Sequence, residues 1–125
     1  MARGLAVGDL DNDGRLDVVI NDLDRGAQVL RNEAAGGGHW LTVKLKGKGA
    51  NTDAIGAVVK VKAGRLSLLR FVRSGSSYLS QEDMRLHFGL GAASQADSLE
   101  VRWSDDTITR LSSVKLDRIL TIEQR

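Results

Sequence analysis

The sequence has 125 residues, with 18 Lys and Arg against 16 Asp and Glu, and it contains neither Cys nor Pro. This length suits one ordinary domain or two small modules, and 42% hydrophobic with 27% charged residues excludes a disordered tail or a collagen-like repeat. No apolar run approaches the roughly 20 residues that span a bilayer, residues 1–4 lack the apolar stretch of a signal peptide, and the lack of Cys excludes disulfides, thiol catalysis and Cys-ligated zinc.

An acidic loop, residues 9–17, is the first distinctive element of the chain. It contains four aspartates within nine residues. Neighbouring carboxylates repel one another by roughly 1–4 kcal/mol per close pair, so a fold gathers them when a hard cation offsets the repulsion. Gly14 permits a sharp turn, after which a backbone carbonyl can point at the ion. Oxygen ligands without nearby His or Cys favour Ca²⁺ over zinc or copper. The predicted calcium ligands are Asp9, Asp11, Asp13, Asp17 and the carbonyl of Arg15.

The flanks of this loop distinguish it from an EF-hand. An EF-hand places a bidentate Glu at the twelfth loop position, which counted from Asp9 is Ile20. Residues 5–7 and 18–20 have the composition of short strands, whereas an EF-hand needs helices on both sides. We therefore predict a β-hairpin calcium loop. The alternative is a solvated acidic turn with Asp13 and Gly14 at the hairpin corner.

A glycine-rich segment, residues 33–38, marks the predicted boundary between a first module, 1–37, and a second, 38–125. Its three consecutive glycines have no side chain to pack, as in a linker; the alternative is a loop inside one domain. The charge also changes here. Residues 1–38 carry four basic and seven acidic residues, whereas residues 39–125 carry fourteen and nine, which favours two modules.

The second half of the chain is rich in short segments with apolar and polar residues in alternation, the pattern of half-buried strands. Segment 92–97 has the composition of one helical turn. Regular spacing of short strands predicts an all-β fold, a compact β-sandwich or barrel preceded by the β-hairpin calcium loop. Trp40, Phe71, Phe88 and Trp103 are predicted core residues. The candidate strands after residue 15 are 16–21, 27–31, 41–46, 57–62, 66–72, 85–89, 99–103, 107–111 and 118–123.

Lysines at alternating positions in two consecutive candidate strands suggest a second function. If those strands pair, Lys44, Lys46, Lys48, Lys60 and Lys62 form a basic stripe on one sheet face. Such a stripe favours contact with polyanions such as acidic glycans or nucleic acid; the alternative is an ordinary solvated face. The stripe has no interleaved aromatic residues, which argues against nucleic acid.

Catalytic constellations are not evident. The hydroxyl-rich segment 73–80 could bind a sugar or phosphate, but it lacks the lysine of a P-loop; a turn whose serines bond to nearby backbone, with Tyr78 partly inside, is the favoured interpretation. No Gly-x-Ser-x-Gly motif occurs. The alternation around His87 places this side chain on the wet face of its strand, and nothing assembles it or His39 into a triad. We predict that the protein is not an enzyme.

Two resemblances to known families cover nearly the whole chain. Residues 4–20, GLAVGDLDNDGRLDVVI, resemble an FG-GAP (VCBS-type) repeat, the unit of integrin-α-like β-propellers, and residues 29–32 resemble its closing strand. Residues 39–122 are similar to the ASPIC/UnbV domain of the cartilage acidic protein family. The motifs that carry this similarity are DAIGA at 53–57, RSGSSYLSQ at 73–81, LHFGLG at 86–91 and VRW at 101–103.

The resemblance implies a non-enzymatic calcium-binding interaction or adhesion module in a secreted, periplasmic or surface protein, with an unidentified protein or glycan partner. It implies calcium ligation by the five residues named above and offers no catalytic residues. A propeller needs several repeats, typically four to eight, and this chain has one. We therefore expect a fragment of a longer protein, in which residues 1–33 pack on the second module or on another copy of the chain.

Overall fold

Ten β-strands and no helix make up the computed structural model, which describes residues 1–125. The strands are β1 Ala2–Gly8, β2 Asp17–Asp22, β3 Gly26–Leu30, β4 His39–Lys46, β5 Val58–Ala63, β6 Leu66–Phe71, β7 Leu86–Gly91, β8 Gln95–Arg102, β9 Ile108–Lys115 and β10 Arg118–Glu123. They form a hairpin sheet, β1-β2-β3, a narrow sheet, β10-β4-β7, and a wide sheet, β6-β5-β8-β9. The prediction of an all-β fold is confirmed.

The chain divides into two compact units. The first unit contains Met1–Gly37 and Ser74–Asp83, and the second contains Gly38–Arg73 and Met84–Arg125. Residues 74–83, which the sequence interpretation placed in the second module, thus belong to the first unit. The predicted division into modules 1–37 and 38–125 stays a prediction.

The second unit is a sandwich of the narrow and wide sheets around one apolar core. Alternate residues of the central strands point inward, so that Leu41 and Val43 of β4 are fully buried, as are Val59 and Val61 of β5. Phe88 is the largest fully buried side chain. Burying a side chain of this kind contributes about 1.5–3 kcal/mol. Because the two sheets are separate, the second unit is a sandwich and not a barrel.

Four details of the prediction were wrong. Trp40 is only partly buried and does not belong to the apolar core. Residues 92–97 do not form a helical turn, because β8 begins at Gln95 and pairs with β9, which buries Ala96 opposite Val114. Phe71 is 57% exposed because the buried side chain at this end of β6 is that of the next residue, Val72. Tyr78 is 65% exposed rather than partly inside.

The predicted lysine stripe also does not exist. Lys44 and Lys46 lie on β4 in the narrow sheet, whereas Lys60 and Lys62 lie on β5 in the wide sheet. The two strands are consecutive along the chain but do not pair, because β4 is flanked by β7 and β10. Lys46 binds Glu123 of the neighbouring strand at 3.1 Å instead.

Close packing requires a glycine at position 38, immediately before β4. A Cβ at Gly38 would lie 2.6 Å from the backbone of Gly91, which real structures essentially never show, whereas a Cβ at Gly37 would meet nothing within 4 Å. Gly38 is therefore a packed part of the second unit, where β4 meets β7, and only the two preceding glycines have the open surroundings of a linker.

The motif at residues 53–57 has a structural role next to the wide sheet. The side-chain amide of Asn51 donates to the carbonyl of Ile55 at 2.9 Å and its oxygen accepts the Ile55 amide at 3.0 Å. Gly56 and Ala57 then exchange backbone bonds with Val72, each at 2.9 Å. These bonds extend the pairing of β5 with β6 and place Ala57 in the core.

The parallel pairing of β4 with β10 is closed at its start by Asp117. This carboxylate accepts the Trp40 amide at 3.2 Å and lies 2.7 Å from Nδ1 of His39, while the Asp117 amide donates to the Trp40 carbonyl. The hydrogen bond from His39, followed by that from the Trp40 amide, holds the pKa of Asp117 below its usual range. A lowered pKa means that the folded state binds the proton less tightly than the unfolded chain does.

We therefore expect Asp117 to stabilise the fold above the ordinary carboxyl pKa and to lose this contribution as the pH falls through its lowered pKa. Asp117→Asn should lower the melting temperature by about 1–3 °C near pH 6, with the difference vanishing near about pH 2. Glu123→Gln removes an exposed ion pair from the same two strands and is expected to have almost no effect. A constant difference across this pH range would contradict the assignment.

Candidate metal centre

The acidic loop connects two paired strands of the first unit. β1 and β2 are antiparallel, and the pair Gly8 and Asp17 closes the loop between them. Two residues with positive φ, Asn12 at 58° and Gly14 at 88°, allow the chain to reverse within the loop. The predicted β-hairpin between residues 5–7 and 18–20 is thus confirmed, and no helix flanks the loop.

Asp9 organises the interior of the loop from its first position. Its side chain is almost fully buried, with 4% of the residue exposed. One carboxylate oxygen accepts the Asp13 amide at 3.1 Å, and the other accepts the Gly14 amide at 2.8 Å. The two hydrogen bonds fix the Asp9 carboxylate against the backbone of the turn.

Asp17 holds the end of the loop in the same way. It is 3% exposed, and its two oxygens accept the amides of Leu10 at 3.0 Å and Asn32 at 2.8 Å. Asn32 follows β3, so this one carboxylate joins the start of the loop to the segment beyond the third strand. The hairpin sheet therefore depends on Asp17 whether or not a metal is bound.

Asp9, Asp11 and Asp17 converge. Each offers a carboxylate oxygen, and these three oxygen atoms lie within 4.8 Å of one another. Asp11 is the exposed member and the two others are buried. Three carboxylate oxygens at this spacing can all reach one hard cation, whose oxygen ligands lie at about 2.3–2.6 Å in the case of Ca²⁺.

Asp13 and Arg15, the two other predicted ligands, bind each other. The Arg15 amide donates to Asp13 Oδ1 at 2.8 Å, and Nε donates to Oδ2 at 2.9 Å, with a second guanidinium bond to the same oxygen. The amide hydrogen bond, with a smaller effect from the guanidinium, lowers the pKa of Asp13. The bond to Asp13 in turn raises the pKa of Arg15. Arg15 also reaches the Ala34 carbonyl at 3.2 Å.

A second arginine, Arg31, also binds an aspartate of the loop, and no sequence motif pointed to it. Arg31 donates to Asp11 at 2.6 Å from the segment after β3. No local pattern relates residues 11 and 31, since only the pairing of β2 with β3 brings them together. The two guanidinium groups offset two of the four carboxylate charges, which leaves the charge that one divalent cation would neutralise.

The hydroxyl-rich segment 73–80 forms local contacts and no ligand cradle. The Ser77 hydroxyl oxygen accepts the Leu5 amide at 3.4 Å, and the Ser80 hydroxyl donates to the Tyr78 carbonyl at 2.9 Å. The prediction that these serines bond to nearby backbone is confirmed for Ser80, whereas Ser77 bonds to β1, 72 residues away in the sequence. Gly4 allows the approach to β1, because a Cβ there would lie 2.3 Å from the Ser80 hydroxyl oxygen.

The two histidines occupy separate structural positions. His39 binds Asp117, and His87 lies 3.3 Å from the Thr42 hydroxyl with its ring stacked on Trp40, the centroids 6.2 Å apart. His87 alternates with buried Leu86 and Phe88 and is only partly buried, as the strand pattern predicts.

Comparison with known proteins identifies relatives of the whole chain. Residues 47–125 match the family described as ASPIC and UnbV. Cartilage acidic protein 1 of Xenopus tropicalis is 36% identical over 109 residues, which are 84% of this chain and 16% of that protein. The mouse and human proteins of the same name are 32% and 31% identical over 125 residues, covering 95% of this chain and 19% of theirs. The chain thus spans less than a fifth of the length of these relatives.

The contacts of Asp17 predict a strong dependence of the first unit on this side chain in the absence of metal. In chelator, Asp17→Ala leaves the Leu10 and Asn32 amides without their acceptor, at a cost of about 1–3 kcal/mol. We expect earlier urea unfolding of the first unit and faster exchange of both amides by NMR. Asp11→Ala, which removes an exposed ion pair, is the control and should change stability by less than about 0.5 kcal/mol. Equal effects of both variants would contradict the role of Asp17.

Proposed function

The chain belongs to the ASPIC and UnbV family, and we propose that it is a non-enzymatic interaction module of an extracytoplasmic protein, with a calcium ion that stabilises its first unit. The observation that carries the calcium proposal is the convergence of three carboxylates in a loop whose remaining charge matches one divalent cation. The structure contains no helix long and apolar enough to cross a membrane.

The composition of the first unit supports a role for metal in its stability. None of the buried apolar residues of the protein lies in Met1–Gly37 or Ser74–Asp83, and the buried side chains there include the two aspartates Asp9 and Asp17. A unit that buries carboxylates instead of an apolar core gains little from the hydrophobic effect. A cation bound to the folded loop stabilises it by mass action, and the gain rises with calcium concentration.

The same unit supports the assignment of residues 1–37 to an FG-GAP-type repeat. Its three antiparallel strands place the acidic loop between the first two, in agreement with the resemblance of residues 4–20. Large apolar side chains are left exposed on it, among them Leu10 at 58%, Leu23 at 65% and Val29 at 60%. Repeat units stack because one unit cannot bury such a surface alone. We propose that further repeats, or a second copy of the chain, cover it.

The proposed location and role follow from the relatives. Cartilage acidic protein 1 carries the name of a tissue, and the extracytoplasmic location proposed for this chain rests on that similarity. The side chains that could act in catalysis have structural partners: His39 binds Asp117, and Ser77 and Ser80 bond to backbone groups. The mouse and human relatives are about five times as long as this chain.

Calorimetric titration with CaCl₂, together with melting curves in calcium and in chelator, tests the metal proposal. We expect binding with a dissociation constant of about 10⁻⁴–10⁻³ M, the range of extracellular sites, and a higher melting temperature of the first unit. Asp11→Asn should weaken binding about tenfold because it removes one ligand charge. Asp24→Asn, an exposed carboxylate outside the cluster, is the matched control and should bind as the wild type does. If millimolar calcium produced no heat of binding and no shift in melting temperature, the site would be excluded.

The ion pair between Asp13 and Arg15 gives a second test. Asp13 must leave the guanidinium before it can bind a cation, and Arg15 repels that cation. Arg15→Ala removes the guanidinium but keeps the backbone carbonyl predicted as a ligand, so it should increase calcium affinity about threefold or more. Arg25→Ala removes one positive charge from the turn after β2 and controls for net charge. Weaker binding by Arg15→Ala than by Arg25→Ala would contradict ligation by Asp13.

A further inference from the structure

The outward face of the wide sheet is chemically distinct from the rest of the second unit. Residues that pair across antiparallel strands share a face, so the register defines this surface, which we name the basic face. Its central row runs from Leu69 through Lys60 and Glu100 to Arg110. The neighbouring rows add Phe71, Val58, Arg102 and Ile108 on one side, and Lys62 with three serines on the other.

The basic face carries an excess of positive charge. Lys60, Lys62, Arg102 and Arg110 are all exposed, and Glu100 is the single carboxylate that shares the face with them. Glu100 accepts from Arg110 at 2.9 Å. Asp97, within β8, accepts the Gly64 amide at 2.7 Å, and Asp105, which follows β8, binds Lys48 and Thr107. The four cations of the face therefore outnumber the two carboxylates of β8, those of Asp97 and Glu100, by two.

Apolar side chains border the cations at both edges of the same face. Phe71 and Leu69 of edge strand β6 are 57% and 46% exposed, and Ile108 of edge strand β9 is 45% exposed. Leu69 lies directly opposite Lys60, and Phe71 lies opposite the partly buried Val58. An exposed aromatic residue among arginines and aliphatic side chains is typical of protein interfaces.

We propose that the basic face binds an acidic protein segment that carries apolar side chains between its carboxylates. The uncompensated cations select the charge of the partner, and the apolar borders distinguish a peptide from a glycan or a nucleic acid. Sugars and bases stack on aromatic rings, and Phe71 is the single aromatic residue of the face, whereas Leu69 and Ile108 match aliphatic partners. The inference rests on the interaction role proposed above and is independent of the calcium site.

Selection from a random linear peptide library, displayed on phage and captured by the whole chain in chelator, tests the proposal without a known ligand. The library is first depleted on the variant Lys60→Glu/Arg102→Glu. We expect enrichment of peptides in which Asp or Glu alternates with apolar residues. In fluorescence titrations with a synthetic copy of the enriched peptide, the double variant should bind at least about tenfold more weakly.

Two further variants separate the contributions of charge and apolar contact. Lys44→Glu/Arg118→Glu changes the net charge equally but lies in the narrow sheet, so it should bind as the wild type does. Leu69→Ser/Phe71→Ser should weaken peptide binding about tenfold and leave any retention on heparin unchanged. Melting curves confirm that each variant is folded.

Three results would overturn the proposal. They are recovery of peptides without acidic residues, equal loss of binding in the narrow-sheet variant, and tighter binding of heparin or an oligonucleotide than of every selected peptide. Because the selection is made in chelator, failure here leaves the calcium proposal intact, and absence of calcium binding leaves this one intact.

Discussion

The uneven distribution of apolar burial is the constraint on which the rest of the structure depends. All eighteen buried apolar residues belong to the second unit, where the narrow and wide sheets enclose them. The first unit has no such core and is ordered by hydrogen bonds to buried carboxylates, those of Asp9 and Asp17 above all. Two physically different solutions to chain ordering therefore exist within one short sequence.

The first unit buries carboxylates, which most proteins leave on the surface. Carboxylates are normally left in water because their desolvation is costly unless they are paired or hydrogen-bonded. The loop meets this requirement with backbone amides at Asp9 and Asp17 and with guanidinium groups at Asp11 and Asp13. The arginines are exposed relative to the aspartates they bind, since Arg31 is 59% exposed and Asp11 37%. A cation that reaches the loop competes with flexible surface groups, whereas the buried hydrogen bonds can stay in place.

Local pattern predicted that the strands exist, although it missed the first four residues of β8, and it did not predict which strands pair. The alternation in 41–46 and 57–62 located β4 and β5 within two residues, because each strand has one buried face. Whether the two strands pair is decided by residues far away in sequence, and β10 occupies the edge that the lysine stripe needed. Phe71 was misplaced for a related reason, since only the register with β5 shows that Val72 takes the inward position.

The residues of the candidate site also fall into two groups, those that local sequence predicts and those that only strand pairing brings to the loop. Residues within the loop were predictable because the spacing of Asp9, Asp11 and Asp17 is itself the signal, and these three converge. Arg31 and Asn32 could not be found, because the pairing of β2 with β3 brings them to the loop. The pairing of Asp13 with Arg15 is local, but the Asp-Gly-Arg sequence gives no indication of whether the side chain or the carbonyl of the arginine is used.

The segregation of charge between the two units has a functional consequence. The acidic loop concentrates negative charge in the first unit, whereas the basic face lies in the second unit, on a sheet that contains no strand of the first. The proposed cation would add positive charge to the first unit, which contains all three of its converging carboxylates. Coupling requires a ligand to distinguish two states of the protein. In the two proposals made above, calcium would act on the stability of the folded first unit, and the specificity for a partner would follow from the order of cationic and apolar side chains on the wide sheet.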